Sequence, residues 1–167
     1  HKGLYWSKVP GTDGAKTFEP DAEYIIPLGK ANVIQEAAKD CIENGESCVV
    51  ITYGMGVYWA KTASKNFKGQ VEILDLRTLN PLDFEGVVSA VKRHNKALVL
   101  TEEPLMNSFA ESLAGRISTT CFQELDAPVM TLGAADLPAI ALNVELEKEM
   151  LPNAEKVEKV LNDLFSY

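Results

Sequence analysis

Short β-branched runs alternate with amphipathic helical periods along most of this chain, and no other feature restricts its fold so strongly. CVVITYG (48–54) is a β-branched run closed by glycine, the pattern of a buried strand. Val57, Ala60, Ala63, Ser64 and Phe67 then share one helical face, and Gly69 ends that helix. VEILDLRT (71–78) is the next strand, after which Asp83 caps a helix carrying Phe84, Val87, Val88 and Val91 at i, i+3, i+4, i+7 spacing. KALVLTEE (96–103) returns to strand. Ser108-Phe-Ala-Glu111 is a capping box that opens a helix with Ala110, Leu113, Ala114, Ile117 and Cys121 inside. APVMTLGA (127–134) is a strand, and Pro152-Asn153 opens a helix with Val157, Val160, Leu161 and Leu164 on one face. Four strand–helix alternations predict an α/β fold, a parallel sheet with helices on both faces joined by right-handed crossovers.

The first forty residues break the pattern. SKVPGTDGAKTFEPDA (7–22) has two prolines and two glycines and no apolar period, so it reads as a linker, with HKGLYW before it as the tail of something upstream. The chain starts at His1, as a piece or a processed product would. Residues 1–22 are therefore expected to be upstream tail and linker, and residues 23–167 one domain. EYIIPL is extended, with Pro27 confining it to an edge or a strand start. KANVIQEAAKDC fits a helix by propensity or a strand running into a helical insertion.

Charge and cysteine count narrow the partners. A net charge of −8 argues against nucleic acid, whose binding depends on Lys and Arg neutralising phosphates, and favours a basic protein partner. No apolar run approaches the roughly 20 residues that span a bilayer, so no membrane is expected. Cys41, Cys48 and Cys121 are odd in number without a C-x-x-C pair, which points to a cytosolic setting and away from a structural zinc site.

No complete active site is legible. Gly54-Met-Gly56 lies between a strand and a helix, where open α/β sheets bind anions, but the third glycine of a dinucleotide loop is Trp59, so a tight packing turn is expected. A nucleophilic triad would need His94, the one internal histidine. It lies in Lys92-Arg93-His94-Asn95 at a helix C-terminus, where a cation interacts with the dipole, and the expectation is a cap. Glu102 and Glu103 are adjacent on a strand and alternate faces, one buried and bonded, the other solvated. Asp75 and Arg77, at i and i+2, would share a face and form an ion pair that fixes a loop or reaches a neighbouring domain. Met55, Val57, Tyr58 and Trp59 crowd one helix start, the pattern either of an exposed apolar patch at a self-association interface or of a wholly buried helix.

Tyr24-IIPLGKANVIQE, VITYGMGVYWA, EILDLRTLNPLD, LVLTEEP, Cys121-FQELDAPV and Leu151-PNAEKV resemble the C-terminal domain of the β subunit of 2-oxo acid dehydrogenase decarboxylases, a transketolase C-terminal type. The resemblance runs from about Glu23 to Tyr167, with HKGLYW similar to the last strand of a preceding pyrimidine-binding domain. It implies a three-layer α/β/α fold, a five-stranded mixed sheet with the first strand antiparallel, and strand over most of residues 23–36. It implies thiamine diphosphate with Mg in the full enzyme and none in this chain, with no catalytic, cofactor-binding or metal residue here. The implied partners are a decarboxylase α subunit or portion, a second β subunit and the subunit-binding domain of a dihydrolipoyl acyltransferase. Asp126 and the Tyr167 carboxylate would dock that last partner, while Asp75, Arg77, Tyr58 and Trp59 would serve interdomain or subunit contacts. A bacterial cytoplasm is implied rather than a mitochondrial matrix.

Some residues depart from the resemblance. Tyr58 replaces a usual histidine, Asn107-Ser108-Phe109 a usual Gly-Gly-Phe, and Ala139-Ile-Ala-Leu142 a stretch with a further proline after Asp136-Leu-Pro138. AAKDCIENGES is longer than the usual turn between the first two strands. The Asp136-Leu-Pro-Ala-Ile segment and the Tyr terminus resemble branched-chain more than pyruvate enzymes. The C-terminal domain of a transketolase or deoxyxylulose phosphate synthase, and a flavodoxin-like nucleotide module using the Gly-Met-Gly turn, are the alternatives.

Overall fold

The computed structural model describes residues 19–137 and 142–167. Five strands form one sheet: β1 (Asn32–Gln35), β2 (Cys48–Thr52), β3 (Val71–Asp75), β4 (Ala97–Pro104) and β5 (Met130–Ala134), in the order β1-β3-β2-β4-β5. β1 pairs antiparallel with β3, and all other pairs are parallel. This is the mixed sheet expected from the resemblance.

The period-2 alternation of the strands sorts the core into two layers. Val49, Ile51, Leu74 and Val99 face α3 (Phe84–His94) and α4 (Phe109–Thr120), meeting Val87, Val91, Leu113 and Ile117. Cys48, Val50, Ile73, Leu98 and Leu100 face α2 (Met55–Ala63) and α6 (Ala154–Phe165), meeting Ala60, Ala63, Val157, Leu161 and Leu164. Strands buried on both faces read as continuous apolar runs, which is why 48–51 and 97–100 were legible.

Local signals hold at the helix ends. Asp83 Oδ1 accepts from Gly86 N–H at 3.0 Å, Ser108 Oγ from Glu111 N–H at 3.0 Å, and Asn153 Oδ1 from Lys156 N–H at 2.9 Å. The reciprocal half of the capping box is shifted by one residue: Glu111 Oε2 accepts from Asn107 N–H at 2.8 Å.

The opening residues differ from expectation. Strand covers only Asn32–Gln35 rather than most of 23–36, because β1 is an edge strand whose register breaks between Val33 and Gln35. The long connection after it contains a short helix, α1 (Lys39–Glu43). A further short helix, α5 (Val144–Met150), is capped by Asn143, which no apolar period had signalled. HKGLYW, most of the linker, and Pro138 to Ala141 of the Asp-x-Pro loop lie outside the described residues.

Candidate functional site

At the carboxyl end of β2, Gly54 has φ 58° and turns the chain into α2. A Cβ on Gly56 would collide with Thr52 Oγ1, which itself donates to Leu100 O at 2.9 Å. Thr52 therefore fills the space a phosphate cradle would leave, and this is a packing turn. Tyr58 and Trp59 follow on α2 and are half-buried, with Trp59 packed on the α2/α6 core; neither stands out as an exposed patch. The exposed large apolar residues lie elsewhere, including Tyr24, Ile25, Ile26 and Leu28 before β1.

Beyond β3, Asp75 and Arg77 do not share a strand face. Arg77 has φ 56°, so the chain turns there, and its backbone N–H donates to Asp75 Oδ1 at 3.0 Å. The contact is a side chain-to-backbone turn in place of the expected ion pair. Burial raises the Asp75 carboxyl above its ordinary pKa, against the opposing bond and charge of Arg77. The rest of the loop fastens the segment before β1. Thr78 Oγ1 accepts from Gly29 N–H at 2.9 Å and donates to Pro81 O at 2.8 Å. Asp83 Oδ2 accepts from Ala31 N–H at 3.0 Å. The bond from Ala31, with that from Gly86, holds the Asp83 carboxyl below its ordinary value despite burial. PLGKA and DLRTLNPLD are thus two halves of one latch.

The amino-terminal end of the sheet holds a constellation that resembles a triad. Ser47 Oγ and His94 Nδ1 are 2.7 Å apart, and His94 Nε2 lies 3.1 Å from Glu72 Oε2, poorly aligned for a hydrogen bond. Arg93 Nη2 donates to Glu72 Oε1 at 2.6 Å. Ser47, His94 and Glu72 are 0%, 2% and 3% exposed, so no substrate reaches the hydroxyl. Burial pushes the Glu72 carboxyl up, but the close approach of His94 and the hydrogen bond and charge of Arg93 outweigh it and hold it below its ordinary value. The expected cap role of His94 is corrected: Asn95, at φ 61°, closes α3 with its N–H on Val91 O, and His94 points into the core. At the opposite end, Glu103 Oε1 accepts from Tyr53 OH at 3.5 Å, from Thr101 Oγ1 at 3.4 Å and from Ala110 N–H at 3.4 Å, which ties the start of α4 to β4.

One surface feature brings predicted residues together. Asp126 and Tyr167, far apart in sequence, line a single groove of about 540 Å³ with Ser118, Phe122, Leu125, Ala127, Pro128 and Val129. Asp126 is placed by its own N–H, which donates to Asn95 O at 2.9 Å, and its side chain is exposed. Tyr167 is 64% exposed just beyond α6. Phe122, absent from the sequence expectations, is 78% exposed on the turn Phe122–Glu124 after α4. Its signal in the sequence was a large apolar residue outside any helical or strand period.

Residues 36–157 match the family model described as transketolase, C-terminal domain. The chain is 33% identical to the 2-oxoisovalerate dehydrogenase subunit beta of Bacillus subtilis (strain 168), across 99% of this chain and 53% of that one. It is 30% identical to the pyruvate dehydrogenase E1 component subunit beta of Rhizobium meliloti (strain 1021), across 81% of this chain and 28% of that one. The chain thus spans about half or less of the length of these relatives. Among solved structures, a split-gene transketolase in the form of an inactive beta4 tetramer shares the fold at a TM-score of 0.69, with 16% identity over 90% of this chain and 46% of that one.

Proposed function

The chain belongs to the transketolase C-terminal domain family, and from that membership we propose that it is the assembly domain of a 2-oxo acid dehydrogenase decarboxylase. The complete enzyme would decarboxylate a 2-oxo acid oxidatively with thiamine diphosphate and pass the acyl group to a lipoyl carrier. The similarity to a 2-oxoisovalerate dehydrogenase β subunit favours a branched-chain substrate. The enzyme would work in the cytoplasm.

This chain's own part is to bind rather than to react. The residues described here do not fit the cofactor: none of them form a group of three or more His, Cys, Asp or Glu placed to hold a metal ion, and Thr52 fills the glycine turn. On family grounds, thiamine diphosphate and its magnesium would be held by other portions of the complete enzyme, and the isolated chain would be inactive. Tyr24, Ile25, Ile26 and Leu28 form a contiguous exposed apolar run, latched by the 75–83 loop, that suits contact with an α subunit or portion or a second β subunit. Tyr58 and Trp59, half-buried on α2, extend that assignment.

The observation that carries the reading is the groove. It sets the carboxylate of Asp126 and the ring of Tyr167 against an apolar floor on an acidic domain, which suits a basic docking segment such as an acyltransferase subunit-binding domain. The test is Asp126→Ala combined with deletion of Ser166 and Tyr167 in the complete decarboxylase. Oxidation of the 2-oxo acid by the reconstituted complex should fall, while decarboxylation measured with an artificial electron acceptor is retained. Thiamine-dependent turnover by the isolated chain, or full complex activity in the double variant, would contradict the reading.

A further inference from the structure

Resting on the docking role proposed above, we infer that Phe122 is an apolar anchor of that site, and that the partner segment seats an apolar side chain there beside the cation that meets Asp126. Phe122 occupies the first position of a short turn that is fixed at both ends. Cys121 is buried with its N–H on Ile117 O at 2.8 Å, and Glu124 N–H donates to Cys121 O at 2.9 Å. Glu124 is also drawn aside by Lys92, whose Nζ lies 2.7 Å from Glu124 Oε1. The ring is therefore presented to solvent by a rigid backbone, and a partner that covers it orders little.

The groove beside it has mixed chemistry. Asp126 is the one acidic or basic side chain in a lining that otherwise consists of Phe122, Leu125, Ala127, Pro128, Val129, Ser118 and Tyr167. A purely basic segment would satisfy Asp126 and leave this apolar wall half-wet. A purely apolar segment would strand the carboxylate away from water. The occupant that suits both is a basic segment with an aliphatic or aromatic residue next to its cation. Aromatic residues are enriched at interfaces, where a few side chains desolvated by the partner carry most of the energy, whereas rim charges chiefly govern encounter rate and salt dependence. Phe122 and Asp126 thus divide the work into a salt-insensitive part and a salt-sensitive part.

The experiment is calorimetric titration of the complete decarboxylase with the purified subunit-binding domain of its acyltransferase, at low and at high salt. Phe122→Ala should weaken binding by about 30-fold or more at both salt concentrations, in the range of an interface hot spot. Phe122→Leu, which keeps an apolar group, should retain most of the affinity. Asp126→Asn should weaken binding at low salt and flatten the salt dependence. Unchanged binding by Phe122→Ala, with Asp126→Asn still weakened, overturns the anchor and leaves the docking role standing. No binding by the unaltered decarboxylase, or no effect of either substitution, overturns both.

Discussion

Two polar clusters at different places on this domain carry opposite lessons. The Ser47–His94–Glu72 cluster has the residue types of a hydrolytic triad, yet its groups are buried and turned toward one another. The Asp126 groove is lined without a histidine or a cysteine and mostly by apolar residues, yet its aromatic rings stand in solvent beside a carboxylate. Polar groups that face one another inside the protein hold the fold. An apolar group left outside, next to a charge, waits for a partner. Composition alone would have ranked the two the other way.

The contrast makes the first cluster the place where substitution should cost most stability. Glu72→Ala leaves His94 buried without its acid and frees Arg93, a loss of about 3 kcal/mol by analogy with breaking buried pairs. Urea unfolding measures this, and a loss below about 1 kcal/mol, the range of surface pairs, would demote the cluster to an incidental contact. The variant should bind the acyltransferase domain as before. Next in size is Asp83→Ala, which removes the cap of α3 and the anchor of Ala31 together. The expected cost is about 2 kcal/mol, and faster amide exchange at Gly29 and Ala31 should accompany it.

A pH profile sharpens the same point. The Glu72 carboxyl is held below its ordinary pKa in the fold, with His94 and Arg93 facing it. Its contribution is complete above the unfolded value of about 4.3 and fades as pH falls through the folded value. The stability gap between the unaltered chain and Glu72→Gln should therefore be widest near neutrality and close in acid; a gap that widens in acid would reverse the assignment. Asp75 gives the smallest effect and the opposite sign. Its carboxyl is raised by burial, so ionisation costs stability once pH passes the unfolded value of about 3.9. Asp75→Asn keeps an oxygen for Arg77 N–H and should be neutral or slightly stabilising near pH 7, with the difference vanishing in acid.

The sequence was most legible where the physics is local. Ser108, Asp83 and Asn153 announce helices because each cap bonds within three residues. The apolar runs of β2 and β4 announce a sheet buried on both faces. The failures are non-local or conformational. An arginine gives no hint of a positive φ, so the turn at Arg77 looked like strand. His94 meets partners from segments around residues 47 and 72, which no spacing rule connects to a helix end. β1 is short because an edge strand relies on β3 alone for its register. Within the groove, Asp126 and Tyr167 come from the resemblance, whereas Phe122 shows in the sequence only as an apolar residue outside any period, and its exposure is seen in the structure alone.

The most direct measurement of the central claim is amide hydrogen exchange on the complete decarboxylase with and without the acyltransferase subunit-binding domain. The account predicts added protection over residues 122–129 and at the end of α6, with no change around Ser47, Glu72 and His94. Protection confined to the exposed apolar run Tyr24–Leu28, or to the surface around Leu142, Val144 and Leu146, with the groove unaltered, would contradict it.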